Sequence, residues 1–390
     1  MEFRKITPDE RVTASQLQAH AYHFKYSPEN NGSHETCRAA FDEKGRMAAC
    51  LELFDFQVWF DGSLAGMGGI GGVASLPIYR RGGYVRGLFQ YLFAEQHERG
   101  DVFSYLFPFS HPFYRRLGYE QCCTTREVTL PLDDLLALSG PGRAELYLPE
   151  ESLEPIQSVY NAYACRYNLM ADRTPEQWRR HFEGDPYQNN KYTYIWYDGN
   201  GNPAGYFQYS AEQDKDRPKT IAIYEMAWRS QADLPGMLGF MGRLHVSGGI
   251  EKAAVTAGPD FYPEILLPEP YRLDIKQVWL GMCRVIDARK ALERMRKPSG
   301  SGSVVVRVTD ELAPWNTGSW QVAWENGACE VCQTAQPPDL TCSAPALAQL
   351  VNGYLSFDRL ILRQDVELTG NFETLARLFP AKQILVAEFY

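Results

Sequence analysis

Apolar positions in the first third of the chain switch between two rhythms. The segment "RMAACLELFDFQVWFDGSLAGMGGIGGVASL" reads as two long β-rich runs joined by Asp61-Gly62, a dipeptide that supplies the positive φ angles of a tight hairpin. Ahead of it, "TPDERVTASQLQAHAYHF" opens with Thr7 and places Glu10 three residues on. This is a capping-box signature and predicts a helix. Behind it, Val85, Leu88, Phe89, Leu92 and Phe93 recur at helical spacing, and Gly100 follows Arg99 as the stop. A strand in "DVFSYLFPF", a short helix in "SHPFYRRLG" between Ser110 and Gly118, and a strand in "YEQCCTTREVTLPL" complete a first α/β domain over residues 1–135.

The same order then returns. "EPIQSVYNAYACRYNLMADRTPEQWRRHF" carries two helical patterns, and "YTYIWYDGNGNPAGYFQYS" carries two strands around an Asp198-Gly199-Asn200-Gly201 turn. This predicts a second domain over residues 136–298. The small residues Ser299 to Ser303 predict a linker into a third domain, residues 299–390, with strands followed by the helices "APALAQLVNGYL" and "FETLARLF".

Length and composition agree with several cores. At 390 residues the chain exceeds the roughly 250 to 300 that one core supports, and 45% hydrophobic with 22% charged residues is globular usage. A net charge of −9 without a basic block argues against a nucleic-acid partner and is compatible with a cationic substrate, although many acidic proteins are charged only for solubility. The start "MEFRKITPDE" lacks the apolar core of a signal peptide, and no run of about 18 apolar residues occurs, so the expectation is a cytoplasmic protein with no membrane partner. Nine scattered cysteines then read as reduced thiols.

Two glycine clusters bear on chemistry. Gly66-Met67-Gly68-Gly69-Ile70-Gly71 satisfies the dinucleotide fingerprint G-x-G-x-x-G. That fingerprint must open a helix, and here the glycines run on into a strand, so it is rejected. Gly82-Gly83 differs because a helix begins there. Backbone N–H groups at a helix start are unpaired and carry the positive end of the dipole, and glycine lets a phosphate approach them. Arg80, Arg81 and Arg86 add forked cationic donors. A plain strand-to-helix turn with solvated arginines is the alternative reading of these residues.

Arg80-x-x-Gly83-x-Val85 after a strand resembles the acetyl-CoA motif of the GNAT acetyltransferase superfamily, [RQ]-x-x-G-x-[GA], with Val85 in place of the usual small residue. The likeness extends along the chain to the enhanced intracellular survival (Eis) family, which also carries a larger apolar residue there. That resemblance implies an α+β protein: tandem GNAT-like domains, the second degenerate, followed by a sterol-carrier-protein-like domain. It implies acetyl-CoA as cosubstrate and no metal. Val73, Ala74 and Ser75 would line the splayed strand that holds the pantetheine arm. Arg81, Gly82, Gly83, Tyr84, Val85 and Arg86 would wrap the pyrophosphate, with Phe109 and Ser110 adding contacts. The second domain offers only "WRSQADLPGMLGFMGRL" at the matching turn, so one cofactor site per chain follows.

The resemblance assigns Tyr114 as proton donor to the departing sulfur, although on spacing alone Phe113 or Tyr119 fits the same place. It assigns the free carboxylate of Tyr390 as proton acceptor, and the apolar ending "ILVAEFY" reads as a tucked-in tail. With an ordinary pKa near 3.5 that carboxylate is a weak base, better suited to binding and orienting an amine unless desolvated. Packing an edge strand is the alternative role for Tyr390. Glu388, Phe24 and Tyr26 are candidates to collect a cation.

Cys329-x-x-Cys332 sits in a strand pattern where residues three apart face opposite sides, which reads as packing rather than a metal site, and His34 and His111 receive no role. The expected activity is N-acetyl transfer to primary amines of a cationic acceptor, by resemblance an aminoglycoside at several positions or lysine, in a homo-hexamer. The alternative is a non-catalytic acyl-CoA sensor or ligand carrier.

Overall fold

A computed structural model describes residues 1–210, 219–247 and 249–388. The chain forms two compact units: Met1–Cys123 with Leu280–Lys382 and 387–388, and Thr124–Trp279 with Gln383–Val386.

The first unit opens with β1 (Glu2–Lys5), α1 (Arg11–Tyr22), β2 (Cys37–Phe41), β3 (Met47–Phe60) and β4 (Ser63–Ser75). It continues with α2 (Tyr84–Arg99), β5 (Phe103–Leu106), α3 (His111–Arg115) and β6 (Glu120–Pro131), which carries the chain into the second unit. The Thr7–Glu10 capping box forms one turn ahead of α1. Asp61 (φ 49°) and Gly62 (φ 85°) make the hairpin turn with both φ angles positive, as a two-residue turn of matching twist requires. Strands β1 to β4 pair antiparallel, β4 pairs parallel with β5, and the end of strand Asp274–Val285 pairs antiparallel with β5. Leu88, Phe89, Leu92 and Phe93 bury one face of α2 against Leu51, Leu53 and Ile70 of the sheet.

The glycines that imitate a dinucleotide fingerprint lie inside β4. They serve packing: a Cβ on Gly68 would stand 2.4 Å from Gln96 Oε1 of α2.

The C-terminal part of this unit has a five-stranded sheet ordered Ala328–Gln333, Gly318–Glu325, Ser301–Thr309, Leu340–Ser343, Val366–Leu368, with helices Ala344–Asn352 and Phe372–Leu378. The expected linker is shorter than the composition implied. Ser301, Gly302 and Ser303 already pair with Glu325, Trp324 and Ala323, and glycine at 302 is needed because a Cβ would meet the Trp324 ring at 2.3 Å. Fully buried Arg284 reaches Asp310 through two 2.6 Å hydrogen bonds, donates to Leu117 C=O at 2.7 Å and lies over the Phe93 ring. Gly118, the stop after α3, makes room for it with φ +83°, since a Cβ there would fall 1.6 Å from Arg284 Nη1.

The second unit repeats the plan. From β6 its strands follow in the order Lys252–Ala257, Thr220–Trp228, Pro203–Ser210, Lys191–Asp198 and Gly142–Leu146. Thr220–Trp228 and Lys252–Ala257 run parallel, as β4 and β5 do, and the other neighbours in this order pair antiparallel. Helix Leu234–Gly242 follows the first of these, as α2 follows β4. Near the chain's end, Asn168 N–H donates to Gln383 C=O at 2.9 Å and Leu385 N–H to Asn168 C=O at 3.2 Å, with Ile384, Leu385 and Val386 buried. Among the described residues no helix is long and apolar enough to cross a membrane.

Candidate active site

The site begins where two parallel strands part. Pairing between β4 and β5 runs from Met67 opposite Phe103 to Ile70 opposite Leu106, where β5 ends, while β4 continues to Ser75. On its other edge β4 carries a bulge. Glu52 faces Gly71 and Cys50 faces Ala74, so Gly72 and Val73 together oppose the single residue Leu51. Gly72 takes φ +57°, a left-handed conformation that glycine accepts without strain. Its carbonyl accepts from Gln18 Nε2 of α1 at 3.2 Å, and the next carbonyl, of Val73, accepts from Tyr22 Oη at 3.1 Å. A trans peptide sets N–H antiparallel to C=O, so the Val73 N–H points away from α1. Val73 and Ser75 are half-buried and Ala74 is buried.

Beyond β4 the chain turns into α2. Arg81 sits at φ 65° and Gly83 at φ 83°, both left-handed, and Gly83 is the residue before the helix. The first helical bond is Gly87 N–H to Gly83 C=O at 2.9 Å, and no side chain caps this end. The amides of Tyr84, Val85 and Arg86 therefore head a 16-residue helix with its positive dipole end open. A Cβ on Gly83 would meet nothing within 4 Å. Arg80, Arg81, Gly82, Gly83 and Arg86 are exposed around this opening. Arg86 is held by Glu311 at 3.1 Å, a surface pair worth about 0–1 kcal/mol that a phosphate can displace. Val85, larger than the glycine or alanine of the usual motif, is partly buried and packs against the hydrophobic core. Tyr79, whose hydroxyl donates to Asp42 at 2.7 Å, braces the turn by packing edge-on against Tyr84.

Tyr114 lies on α3 with 2% of its surface exposed. Its ring is boxed by Phe109, Phe113, Phe89 and Tyr119, at centroid distances of 5.3, 5.1, 6.3 and 6.2 Å. Burial, with smaller contributions from the fields of Tyr22 and Tyr119, pushes the phenol well above its ordinary value, so it is neutral at pH 7. The three aromatic candidates now separate. Phe113 has no proton to give, and Tyr119 Oη is bound to Ser104 Oγ at 2.7 Å. The Tyr114 hydroxyl has no hydrogen-bond partner among the described residues. Phe109 is 69% exposed beside it, and Ser110 precedes α3 without a side-chain cap bond.

Below α3, Arg115 and Arg363 both donate to buried Glu120, each at 2.9 Å. His111 bonds Gln121 at 2.8 Å. Tyr390 lies outside the described residues. Glu388 is buried and Phe24 is exposed. Cys329 and Cys332 lie on one strand, opposite Trp324 and Gln321. Sequence reasoning missed Gln18, Tyr22 and Gly72, yet a glycine pair inside a strand pattern is itself a bulge signal.

Residues 2–122 and 169–285 each match a family model of an acetyltransferase (GNAT) domain, and residues 284–386 match that of a sterol carrier protein domain. The chain carries two GNAT acetyltransferase domains followed by a sterol carrier protein domain. A probable N-acyltransferase of unknown function from Enterococcus faecalis is similar over 100% of this chain and 99% of its own, at 22% identity and TM-score 0.87. A GCN5-related N-acetyltransferase from Anabaena variabilis is similar over all of both chains, at 21% identity and TM-score 0.87. Eis1 from Mycobacterium abscessus is similar over all of both chains, at 18% identity and TM-score 0.81. At these identities the likeness is one of fold. No curated protein matches the chain. Acyl transfer is the class of chemistry that the two GNAT matches support.

Proposed function

We propose that the protein is an N-acetyltransferase that moves acetyl from acetyl-CoA to a primary amine of a cationic acceptor, with one cofactor site per chain in the first GNAT domain. The observation that carries this reading is the uncapped, glycine-led start of α2 beside the end of β4 that β5 leaves unpaired. The pyrophosphate takes the amides of Tyr84, Val85 and Arg86 with Arg81 and Arg86 around it, and the backbone of Val73, Ala74 and Ser75 holds the pantetheine arm. Phe109 and Ser110 add contacts.

In this reading the amine nitrogen attacks the acetyl carbonyl carbon and the Val73 N–H receives the oxyanion. The carbon–sulfur bond then breaks and Tyr114 donates to the sulfur. Burial keeps the phenol protonated but makes it a weak acid, and an ordinary thiol titrates at about 8.5. The transfer completes because the thiolate emerges in the same dry site, which raises its own proton affinity. The proton lost by the attacking nitrogen passes to the Tyr390 carboxylate or to water, so proton uptake and release balance. Ile384, Leu385, Val386 and Glu388, close to Tyr390 in sequence, are buried. The resemblance adds aminoglycosides or lysine as acceptors, a cytoplasmic setting and a homo-hexamer, which light scattering tests.

Thiol release from acetyl-CoA across a panel of a diamine, a lysine peptide and an aminoglycoside tests the reading. Release with at least one amine is expected. Tight acetyl-CoA binding without release from any amine identifies the sensor instead. A charged tag after Tyr390 is expected to abolish turnover, and full activity of the tagged protein removes the carboxylate from the mechanism.

A further inference from the structure

The bulge in β4 does not stand alone: helix α1 holds it. Gln18 and Tyr22 are four residues apart and so share a face of α1. They donate to consecutive carbonyls, Gly72 at 3.2 Å and Val73 at 3.1 Å. Consecutive carbonyls of a regular strand point to opposite edges; here both are drawn to α1, which the left-handed Gly72 permits. Gln18 fits so closely that a Cβ on Gly72 would lie 2.4 Å from its Nε2.

Gln18 is itself fixed. Its Nε2 donates to Glu52 Oε1 at 3.0 Å, and the same oxygen accepts from Arg11 Nη1 at 2.6 Å. The other oxygen of Glu52 accepts from Thr36 Oγ1 at 2.6 Å. Gln18 and Glu52 are buried, at 9% and 8% exposure, so this carboxylate and its donors form a rigid block instead of a solvated cluster. Tyr22, at the last turn of α1, is half-exposed, and its field contributes to the raised Tyr114 phenol, which places both hydroxyls in one electrostatic neighbourhood.

We propose that Gln18 and Tyr22 are positioning residues of the acetyl-transfer site: by holding the Gly72 carbonyl on α1, Gln18 aims the Val73 N–H at the acetyl oxygen, and by holding the Val73 carbonyl, Tyr22 fixes the adjoining peptide so that Val73 keeps that orientation. The proposal rests on the acetyl-CoA reading of the β4–β5 splay. A donor that forms an oxyanion contact contributes about 10²–10³ in kcat, and misaiming it forfeits part of that. The effect belongs in kcat, because the pyrophosphate is held at the α2 turn and the oxyanion contact strengthens only in the transition state.

Tyr22→Phe removes one hydroxyl from a half-exposed ring, so folding is little affected; Gln18→Met removes the buried donor at similar volume. Steady-state thiol release from acetyl-CoA with the best amine of the panel, together with melting temperature, reads both. For Tyr22→Phe the expected result is a kcat about 10-fold lower, with KM for acetyl-CoA and for the amine within twofold and the melting temperature unchanged. Gln18→Met is expected to lower kcat further. A Tyr22→Phe kcat within twofold of the parent overturns the proposal, as does a higher amine KM at unchanged kcat, which would make Tyr22 an acceptor contact. The Gly83→Asp variant separates the two layers. Loss of acetyl-CoA binding there with a neutral Tyr22→Phe leaves the cofactor reading intact and removes this one, whereas a parent protein that binds no acetyl-CoA overturns both.

Discussion

Two helices follow equivalent strands in the two units, and the turns that lead into them differ. At α2 the helix start is glycine-led, flanked by arginines, left-handed at Arg81 and Gly83, and without a side-chain cap. Leu234–Gly242 also carries no side-chain cap of its own, but it continues from a 3-10 turn, Gln231–Asp233, that side chains close. Ser230 accepts from Ala232 N–H at 3.1 Å, Asp233 accepts from Ser230 N–H at 3.1 Å, and Pro235 removes a donor from the first turn. Burial, then the field of Asp198, raises the Asp233 carboxyl. The glycines differ in the same sense. Cβ atoms on Gly236 and Gly239 would strike Trp196 at 2.4 Å and the Leu138 carbonyl at 2.1 Å, so they serve helix packing, while Gly83 opens onto space. One fold can therefore open or close the start of the helix after this strand by changing a few residues at a single turn.

The contrast is broken most directly by giving the first turn the second's acid. Gly83→Asp places a carboxylate in the cradle, at a left-handed position that aspartate tolerates better than most residues. The expected result is at least a 100-fold weaker acetyl-CoA Kd by calorimetry, about 2.7 kcal/mol, with the melting temperature little changed. Next, Tyr114→Phe separates binding from chemistry: turnover is expected to fall about 10- to 100-fold while the acetyl-CoA Kd holds within twofold.

The same phenol sets a pH expectation. In the unfolded chain it titrates near 10, and in the fold it titrates higher, so the folded state holds the proton more tightly. Its contribution to stability is full below pH 10 and is lost as pH rises through the folded value. Urea unfolding is expected to show the parent losing stability above pH 10, and Tyr114→Phe losing less. Ser230→Ala tests the second turn: about 1 kcal/mol of stability is expected to go, with acetyl-CoA binding unmoved. Arg86→Ala is the smallest, about threefold in Kd, because one exposed cation already shared with Glu311 is lost.

Much of this was legible from the chain. The Asp61-Gly62 hairpin, the Thr7 box, the α2 stripe and the Gly100 stop each rest on local chemistry, and each formed. The open, glycine-led start of α2 was legible for the same reason, because glycines at a helix start act on their own backbone. What escaped notice depends on partners distant in sequence. Gln18 and Tyr22 gain meaning only when α1 lies against a bulge more than fifty residues away. Tyr114 is distinguished from Tyr119 only by Ser104, which occupies one hydroxyl and not the other. Ser301 to Ser303 looked like a linker because small residues are flexible in isolation, and Trp324 shows why one of them must be glycine.

Calorimetric titration of the intact protein with acetyl-CoA tests the central claim, that the α2 turn is a cofactor cradle and the Leu234–Gly242 turn is not. The expected isotherm has one site per chain and is lost in Gly83→Asp. Two sites per chain, or binding that survives Gly83→Asp unchanged, would contradict it.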